Sequence, residues 1–256
     1  MTAMTSRSAT TLDPQRYFEL IDADTDRLLE MGERGLRQQV PSCAGWDVAE
    51  VVWHVAGVYE HKTRVLADNA WPEQWPPADF EGKEEIGFLQ DARAHLFEEF
   101  ARHDVDEQTQ TFGADSTVAF WVRRMAHEIA VHRYDGELAH GDPTDIPVDE
   151  AIDGIDEVLT VMLGGPWWEE QYRTSHPVDA LVAVESDALR WVCDIREKQV
   201  TVSSEGDAGE VAATVSGSPM HVFLWLWGRL DDDAVELSGD SAVLREFRAR
   251  LVECSG

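Results

Sequence analysis

The segment RRMAHEIAVHRYDGELAHG (residues 123–141) places two histidines and a glutamate inside a helical pattern of apolar residues. Residues advance by about 100° each around an α-helix. Glu128 and His132 are therefore stacked on one face, whereas His127 and His132, five residues apart, point about 140° away from each other. The pair Glu128 and His132 can chelate a divalent ion. The metalloprotease motif, which needs histidines at i and i+4, is excluded.

A third ligand has to come from another helix, and His54 in VVWHVAGV is the best candidate. Valines three before, one after and four after His54 define an apolar stripe, and His54 is at its edge. Ligands that project inward from facing helices are a common way to build a metal site in a bundle. His54, Glu128 and His132 would form a two-histidine, one-carboxylate set with open positions, for which zinc is the default ion.

Simpler interpretations of these residues stay open. A histidine in an apolar helix is more often a hydrogen-bonded core or boundary residue than a ligand. Glu128, with Arg124 four residues before it, could form an ordinary ion pair on the helix surface. Asp135, three residues after His132, could orient that imidazole or pair with a neighbouring arginine instead.

Other conspicuous residues are expected to be structural. His61, seven residues after His54 on a similar face, could support the metal site, but it is expected to be exposed to solvent. Trp46 is expected to pack at the helix entrance, and nothing in the sequence places a base beside Cys43. The pair Trp167 and Trp168 is expected in a hydrophobic seam rather than in a binding cleft.

Long helices must position the candidate ligands. Asp13-Pro14 and the capping box of Asp47 and Glu50 predict two helix starts, and the proline-rich WPEQWPP (71–77) predicts a loop. Four long helices with connections of about a dozen residues favour a four-helix bundle. The predicted helices span about residues 14–31, 47–69, 83–103 and 116–140.

The pattern changes after GDPTDIP (141–147), which bears proline and glycine. A helix to about Leu163 is followed by short β-like runs, and the apolar HVFLWLWGRL (221–230) predicts a buried helix. A last β-like run and a last helix close the chain. We therefore predict the fold class α + (α+β), with a helical bundle in residues 1–146 and a smaller α+β domain in residues 147–256.

Composition narrows the location and partners of the protein. The 256 residues include 50 acidic and 21 basic ones, for a net charge of −29, which would repel nucleic acids and anionic membranes. No signal-type or membrane-spanning apolar run occurs, so a cytoplasmic location is expected. Three scattered cysteines argue against a disulfide framework. The arginine bias is typical of a GC-rich genome such as an actinobacterium's, and adaptation to salt is a competing cause of the acidity.

Three segments resemble the motifs of the mycothiol-dependent maleylpyruvate isomerase family. They are VPSCAGWDVAEVVWHVAGVYEH, RRMAHEIAVHRYDGELAHG and WLWGRLDDDAVELSGD, in the family's order, and the resemblance covers about residues 13–252. It implies a smaller, sterol-carrier-like α+β domain after a DinB-like four-helix bundle. It also implies that the bundle holds a divalent metal through His54, Glu128 and His132.

The resemblance implies an enzyme that uses mycothiol, the low-molecular-weight thiol of actinobacteria. A metal-bound thiol has a lowered pKa and is a thiolate at neutral pH, which can add to an electron-poor double bond. Rotation and elimination would then isomerise cis to trans, whereas attack elsewhere would give a thiol conjugate. A maleylpyruvate-type isomerase and a thiol S-transferase therefore both fit. A metal-binding or small-ligand-binding protein without turnover is the alternative.

An electrophilic substrate that bears carboxylates needs a cation. Arg229, which follows buried aromatic residues, is the catalytic candidate because guanidinium binds carboxylates in a bidentate manner. Pairing of Arg229 with an acidic residue of the segment 231–233 is the alternative. Arg123 and Arg124 are weaker candidates. A monomer or small homo-oligomer is expected, and no residues are assigned to the binding of the thiol.

Overall fold

The computed structural model describes residues 10–165, 174–197, 199–204 and 209–255, so that the predicted positions of Trp167 and Trp168 lie outside it. The chain divides into two compact units. The first consists of residues 12–111 and 115–144, and the second consists mainly of residues 145–256. In the part of the chain that is described, every helix is too short or too polar to cross a membrane.

Four long helices build the first unit. They are α1 (Pro14–Arg34), α2 (Val48–Asp68), α3 (Glu85–Phe100) and α4 (Val118–Ala139). The helix α2 packs against α3 and α4, and α1 packs against α4. This arrangement confirms the helical bundle predicted for the N-terminal half.

The helix starts follow the capping signals in the sequence. Asp13 caps α1, and at the start of α2 the side chains of Asp47 and Glu50 each accept the other residue's backbone N–H, as the capping box predicts. The end of α1 differs, because the helix continues to residue 34 rather than stopping at about 31. Gly32 lies inside it, and a Cβ there would be only 3.3 Å from the Ile86 side chain. Gly32 therefore allows α1 and α3 to approach closely and does not end the helix.

A buried network of charges connects α1 to α4. Arg133 is 1% exposed, and its Nε donates to Asp24 Oδ1 at 3.2 Å while its Nη1 donates to Glu137 Oε2 at 3.0 Å. Nη1 also donates to the carbonyl of Thr144, and Arg27 Nε donates to the other oxygen of Glu137 at 2.6 Å. Burial opposes ionisation of Glu137, but the Thr144 backbone N–H and the Arg133 charge outweigh it and lower the pKa of Glu137. The bundle is therefore fixed by ion pairs as well as by apolar packing.

The second unit is a mixed sheet with helices. The elements are α5 (Val148–Glu157), β1 (Ala180–Ser186), β2 (Leu189–Ile195), β3 (Val200–Ser203), β4 (Ala213–Gly217), α6 (Pro219–Leu226), β5 (Glu236–Gly239) and α7 (Ser241–Ser255). The strands have the order β3-β2-β1-β4-β5, in which β1 and β4 are parallel and the other neighbours are antiparallel. The predicted helix to Leu163 is present as α5 with a π-helical end (Val158–Leu163). The segment that begins at Pro219 is a buried helix, as predicted, and packs against α5.

Candidate metal centre

The structure brings together the three side chains that the sequence singled out as ligands. His54 projects from α2, and Glu128 and His132 project from α4. One potential ligand atom of each residue lies within 4.8 Å of the other two. Glu128 Oε1 is 3.2 Å from His54 Nε2 and 3.4 Å from His132 Nε2. The His54 side chain is 29% exposed, so that the group is open to solutes.

The donor set fits a divalent transition-metal ion. Two imidazole nitrogens and one carboxylate oxygen are ligands that zinc and related ions accept, and three protein ligands leave further coordination positions open. His132 Nδ1 donates to Asp135 Oδ2 at 3.0 Å. This hydrogen bond directs the other ring nitrogen, Nε2, toward Glu128, where it can serve as a ligand.

Asp135 is the residue that holds His132 in place. It is fully buried, and besides His132 it accepts hydrogen bonds from Ser42 Oγ at 2.6 Å and from Cys43 Sγ at 3.5 Å. The orienting role that the spacing allowed for Asp135 is thus present in the structure. Nothing in the sequence placed a base beside Cys43, but the connection between α1 and α2 brings its thiol to the carboxylate of Asp135. No periodic signal in the sequence marks Ser42 as part of this group.

Glu128 contacts Arg124 as well as the two candidate histidine ligands. Its Oε2 accepts from Arg124 Nη2 at 2.5 Å, while its Oε1 faces the two imidazoles. Burial opposes ionisation, but hydrogen bonds from His132 and His54 and the charge of Arg124 outweigh it, so the pKa of Glu128 lies well below its usual range. The carboxylate is therefore ionised at neutral pH, as a metal ligand must be.

Trp46 belongs to the surroundings of the site rather than only to the core. Its ring centroid is 5.1 Å from that of His54, and it stacks on His132 at 6.3 Å with an angle of 15° between the planes. A pocket of about 350 Å³ opens beside it. The residues that line this pocket are Arg37, Trp46, Ala49, Glu50, Trp53, His54 and Glu85. The expectation of simple packing at the helix entrance was incomplete, because the pocket exposes part of the ring.

The remaining candidates lie elsewhere. His127 is fully buried in the core with its ring edge-on to Tyr17, so it is not grouped with the ligands, as the helical geometry predicted. His61 is buried, against the expectation that it would be exposed, because the rings of Trp71 and Trp75 cover it. Arg229 belongs to the second unit, where its Nη1 donates to the carbonyl of Trp227 at 2.8 Å.

Replacing Asp135 with asparagine is expected to weaken Zn²⁺ binding about 10- to 100-fold although no ligand is removed. An amide is a poorer acceptor for the Nδ1–H of His132 and leaves that ring less firmly oriented. Competition with a chromophoric chelator measures the affinity. The control is Asp22→Asn, at an exposed carboxylate of α1 that contacts Arg93. Equal affinities of the two variants would show that Asp135 does not orient a ligand.

These features define a class of protein: a helical bundle that presents a two-histidine, one-carboxylate group, followed by a small mixed-sheet unit. Two protein-family models match the chain and identify this class. Residues 18–136 match the mycothiol maleylpyruvate isomerase N-terminal domain, and residues 149–246 match the C-terminal domain of the same family. The chain belongs to the mycothiol maleylpyruvate isomerase family and is a maleylpyruvate isomerase-like protein.

Solved structures show the same fold. The crystal structure of the mycothiol-dependent maleylpyruvate isomerase has a TM-score of 0.62 with 15% identity, over 89% of this chain and 93% of that one. A histidine-to-alanine mutant of that isomerase has a TM-score of 0.60 with 14% identity over the same shares. No curated protein matches this chain in sequence. At these identities, the structural similarity establishes the fold alone.

Proposed function

We propose that this protein is a metal-dependent enzyme that uses mycothiol as its thiol cofactor and acts on a small electrophile as a maleylpyruvate-type isomerase. The observation that carries the proposal is the grouping of His54, Glu128 and His132 beside an open pocket, in a chain of this family. Thiol S-transfer is a second outcome of the same chemistry, since it differs only in which carbon the sulfur attacks and whether the sulfur then leaves.

The protein's residues have distinct tasks in this proposal. His54, Glu128 and His132 would hold the ion, with zinc as the default, and a bound ion lowers the pKa of a coordinating thiol so that a thiolate exists at neutral pH. Asp135 fixes the orientation of His132, and Arg124 fixes one oxygen of Glu128. The indole of Trp46 provides an apolar wall beside the ligands, which favours a flat, unsaturated substrate over water.

Recognition of the substrate carboxylates is assigned to Arg229. Its position shortly after the apolar α6, in the segment that resembles the family's Trp-Gly-Arg motif, supports this role. A guanidinium group binds a carboxylate through two parallel N–H···O bonds. Arg37 provides the comparison for Arg229. It is an arginine of the first unit that lines the pocket beside His54 and pairs with Asp47 at 3.2 Å.

We also propose a domain boundary near residue 146, with a sterol-carrier-like second domain, and a cytoplasmic location in an actinobacterium. The division of the compact units between residues 144 and 145 and the gap between the two family matches, 136 to 149, support the boundary. The partners in this proposal are the thiol and a carboxylate-bearing electrophile. The net charge of −29 supports the exclusion of nucleic acids and anionic membranes.

The test is a turnover assay of the zinc-loaded protein with maleylpyruvate, with and without mycothiol, followed by ultraviolet absorbance. A parallel assay with chlorodinitrobenzene measures S-transfer. We expect isomerisation that requires the thiol, and Arg229→Gln should lower kcat/KM by about 30- to 100-fold, as loss of a charged hydrogen bond does. Arg37→Gln should have a smaller effect. Metal binding without turnover of either electrophile would instead indicate a non-catalytic binding protein.

A further inference from the structure

The second unit contains a cavity of its own. Its volume is about 340 Å³, at the lower end of the range of about 300–1,000 Å³ that holds small molecules. Its walls come from α6, from the segment 232–239 and from the first two turns of α7. The lining includes Trp225, Asp232, Leu237, Leu244, Arg245 and Arg248. None of these residues has a task in the proposed function.

Arg248 carries a guanidinium with an incomplete set of partners. Its Cζ lies 4.4 Å from the ring centroid of Trp225, and its Nη2 donates to the carbonyl of Leu230 at 2.9 Å. Its Nη1 is buried and makes no hydrogen bond with any of the described residues. Buried donors in native proteins are nearly always paired, so this nitrogen needs a ligand, a water molecule or an ion as its partner.

The charge of Arg248 is not balanced by an ion pair either. In the part of the chain that the structure describes, no carboxylate forms a salt bridge with it. Burial lowers the pKa of Arg248, and the charges of Asp232 and Asp231 oppose this shift without reversing it. Asp232 instead uses its Oδ1 to accept the Nε1–H of Trp225 at 2.9 Å. A guanidinium in such a position gains from an anion that reaches it.

Arg245 adds a second guanidinium to the lining. Its side chain is 72% exposed, and its Nε lies 3.5 Å from Glu246 Oε1, an exposed pair of the kind that contributes little. The apolar part of the lining comes from Trp225 and Leu244, which are buried, and from Leu237, which is half-buried. The cavity is therefore lined by two cations, one carboxylate and an apolar surface.

We propose that this cavity binds a small aromatic monocarboxylate, whose carboxylate is held by Arg245 and Arg248. Guanidinium groups bind carboxylates through parallel N–H···O bonds, and the apolar part of the lining would contact the ring. Asp232 in the lining and the net charge of −29 disfavour a second negative charge on the ligand. The start of α7 adds little to the site, because Asp240 already accepts the N–H of Ala242 at 2.8 Å.

Titration with benzoate, followed by saturation-transfer NMR, tests the proposal on the full-length protein in the presence of EDTA. We expect a dissociation constant of about 1 mM, a value that so small a ligand can reach. Benzamide has the same shape without the charge and should bind at least about tenfold more weakly. Equal binding of the two compounds, or no binding of benzoate, would overturn the proposal. Because the measurement involves no mycothiol, maleylpyruvate or metal ion, its outcome is separate from that of the proposed function.

Three variants locate the bound benzoate. Arg248→Gln should weaken binding by about tenfold or more, as loss of a charged hydrogen bond does, and circular dichroism verifies its fold because Arg248 also holds the Leu230 carbonyl. Arg245→Gln changes an exposed side chain and should weaken binding by about three- to tenfold with the fold intact. The matched control is Arg190→Gln, at an arginine of β2 that is 48% exposed and pairs with Glu185. If Arg245→Gln binds benzoate as tightly as Arg190→Gln does, the assignment of the cavity is wrong.

Discussion

His54→Ala is expected to weaken the binding of Zn²⁺ by at least about 100-fold and to abolish thiol-dependent turnover. Loss of a residue that merely orients a ligand costs about 10- to 100-fold in affinity, so loss of a ligand should cost more. Glu128 and His132 would remain as a two-residue chelate on α4. The His54 side chain is 29% exposed, at the edge of the apolar stripe of α2. Alanine at this position therefore leaves little buried cavity. The bundle should therefore remain folded.

The matched control is His95→Ala. His95 is also a histidine of the bundle whose ring contacts a carboxylate, that of Glu60, but its side chain is 54% exposed and it belongs to no ligand group among the described residues. Isothermal titration with Zn²⁺ and metal analysis after dialysis provide the readouts, and circular dichroism verifies the fold. If His54→Ala and His95→Ala retain equal amounts of metal, the assignment of His54 as a ligand is wrong.

Arg133→Met is expected to lower the free energy of unfolding of the helical unit by about 3–5 kcal/mol, the usual cost of removing one partner from a buried ion pair. Methionine keeps much of the side-chain volume, so the loss is mainly electrostatic. Glu137 is fully buried and Asp24 is 5% exposed, and both would lose the guanidinium that lies between them. Arg27, at the edge of the network, would be the cation left on Glu137.

Urea unfolding monitored by circular dichroism measures this change. Arg93→Met is the comparison. Arg93 lies on α3 and also pairs with two carboxylates of α1, those of Asp22 and Asp26, but these are largely exposed. Exposed ion pairs contribute about 0–1 kcal/mol, and the control should fall in that range. A loss of less than about 1 kcal/mol for Arg133→Met would mean that its charge contributes little net stability in this network.

Helical periodicity explains why much of the fold and of the candidate site could be predicted. The spacing of four residues between Glu128 and His132 places both on one face whatever the rest of the chain does. The apolar stripe around His54 faces the bundle interior for the same reason. The exclusion of His127 followed from the angle alone, and in the structure that side chain lies in the core.

Connections between helices carried no such information. Ser42, Cys43 and Trp46 reach the site because the chain between α1 and α2 folds back over α4, and no repeat in the sequence encodes that path. The burial of His61 likewise depends on the loop WPEQWPP, whose tryptophans cover it. The sequence marked that segment as a loop but held no sign of where its side chains would lie.

The candidate ligands and the residues that surround them lie on different parts of the chain. The candidate ligands are fixed in the framework of the bundle, on α2 and α4. The hydrogen bonds that hold the orienting carboxylate of Asp135 and one wall of the pocket come instead from a short segment outside the helices, through Ser42, Cys43 and Trp46. Substitutions in this segment would therefore change the wall of the pocket and the support of Asp135 without changing the candidate ligands.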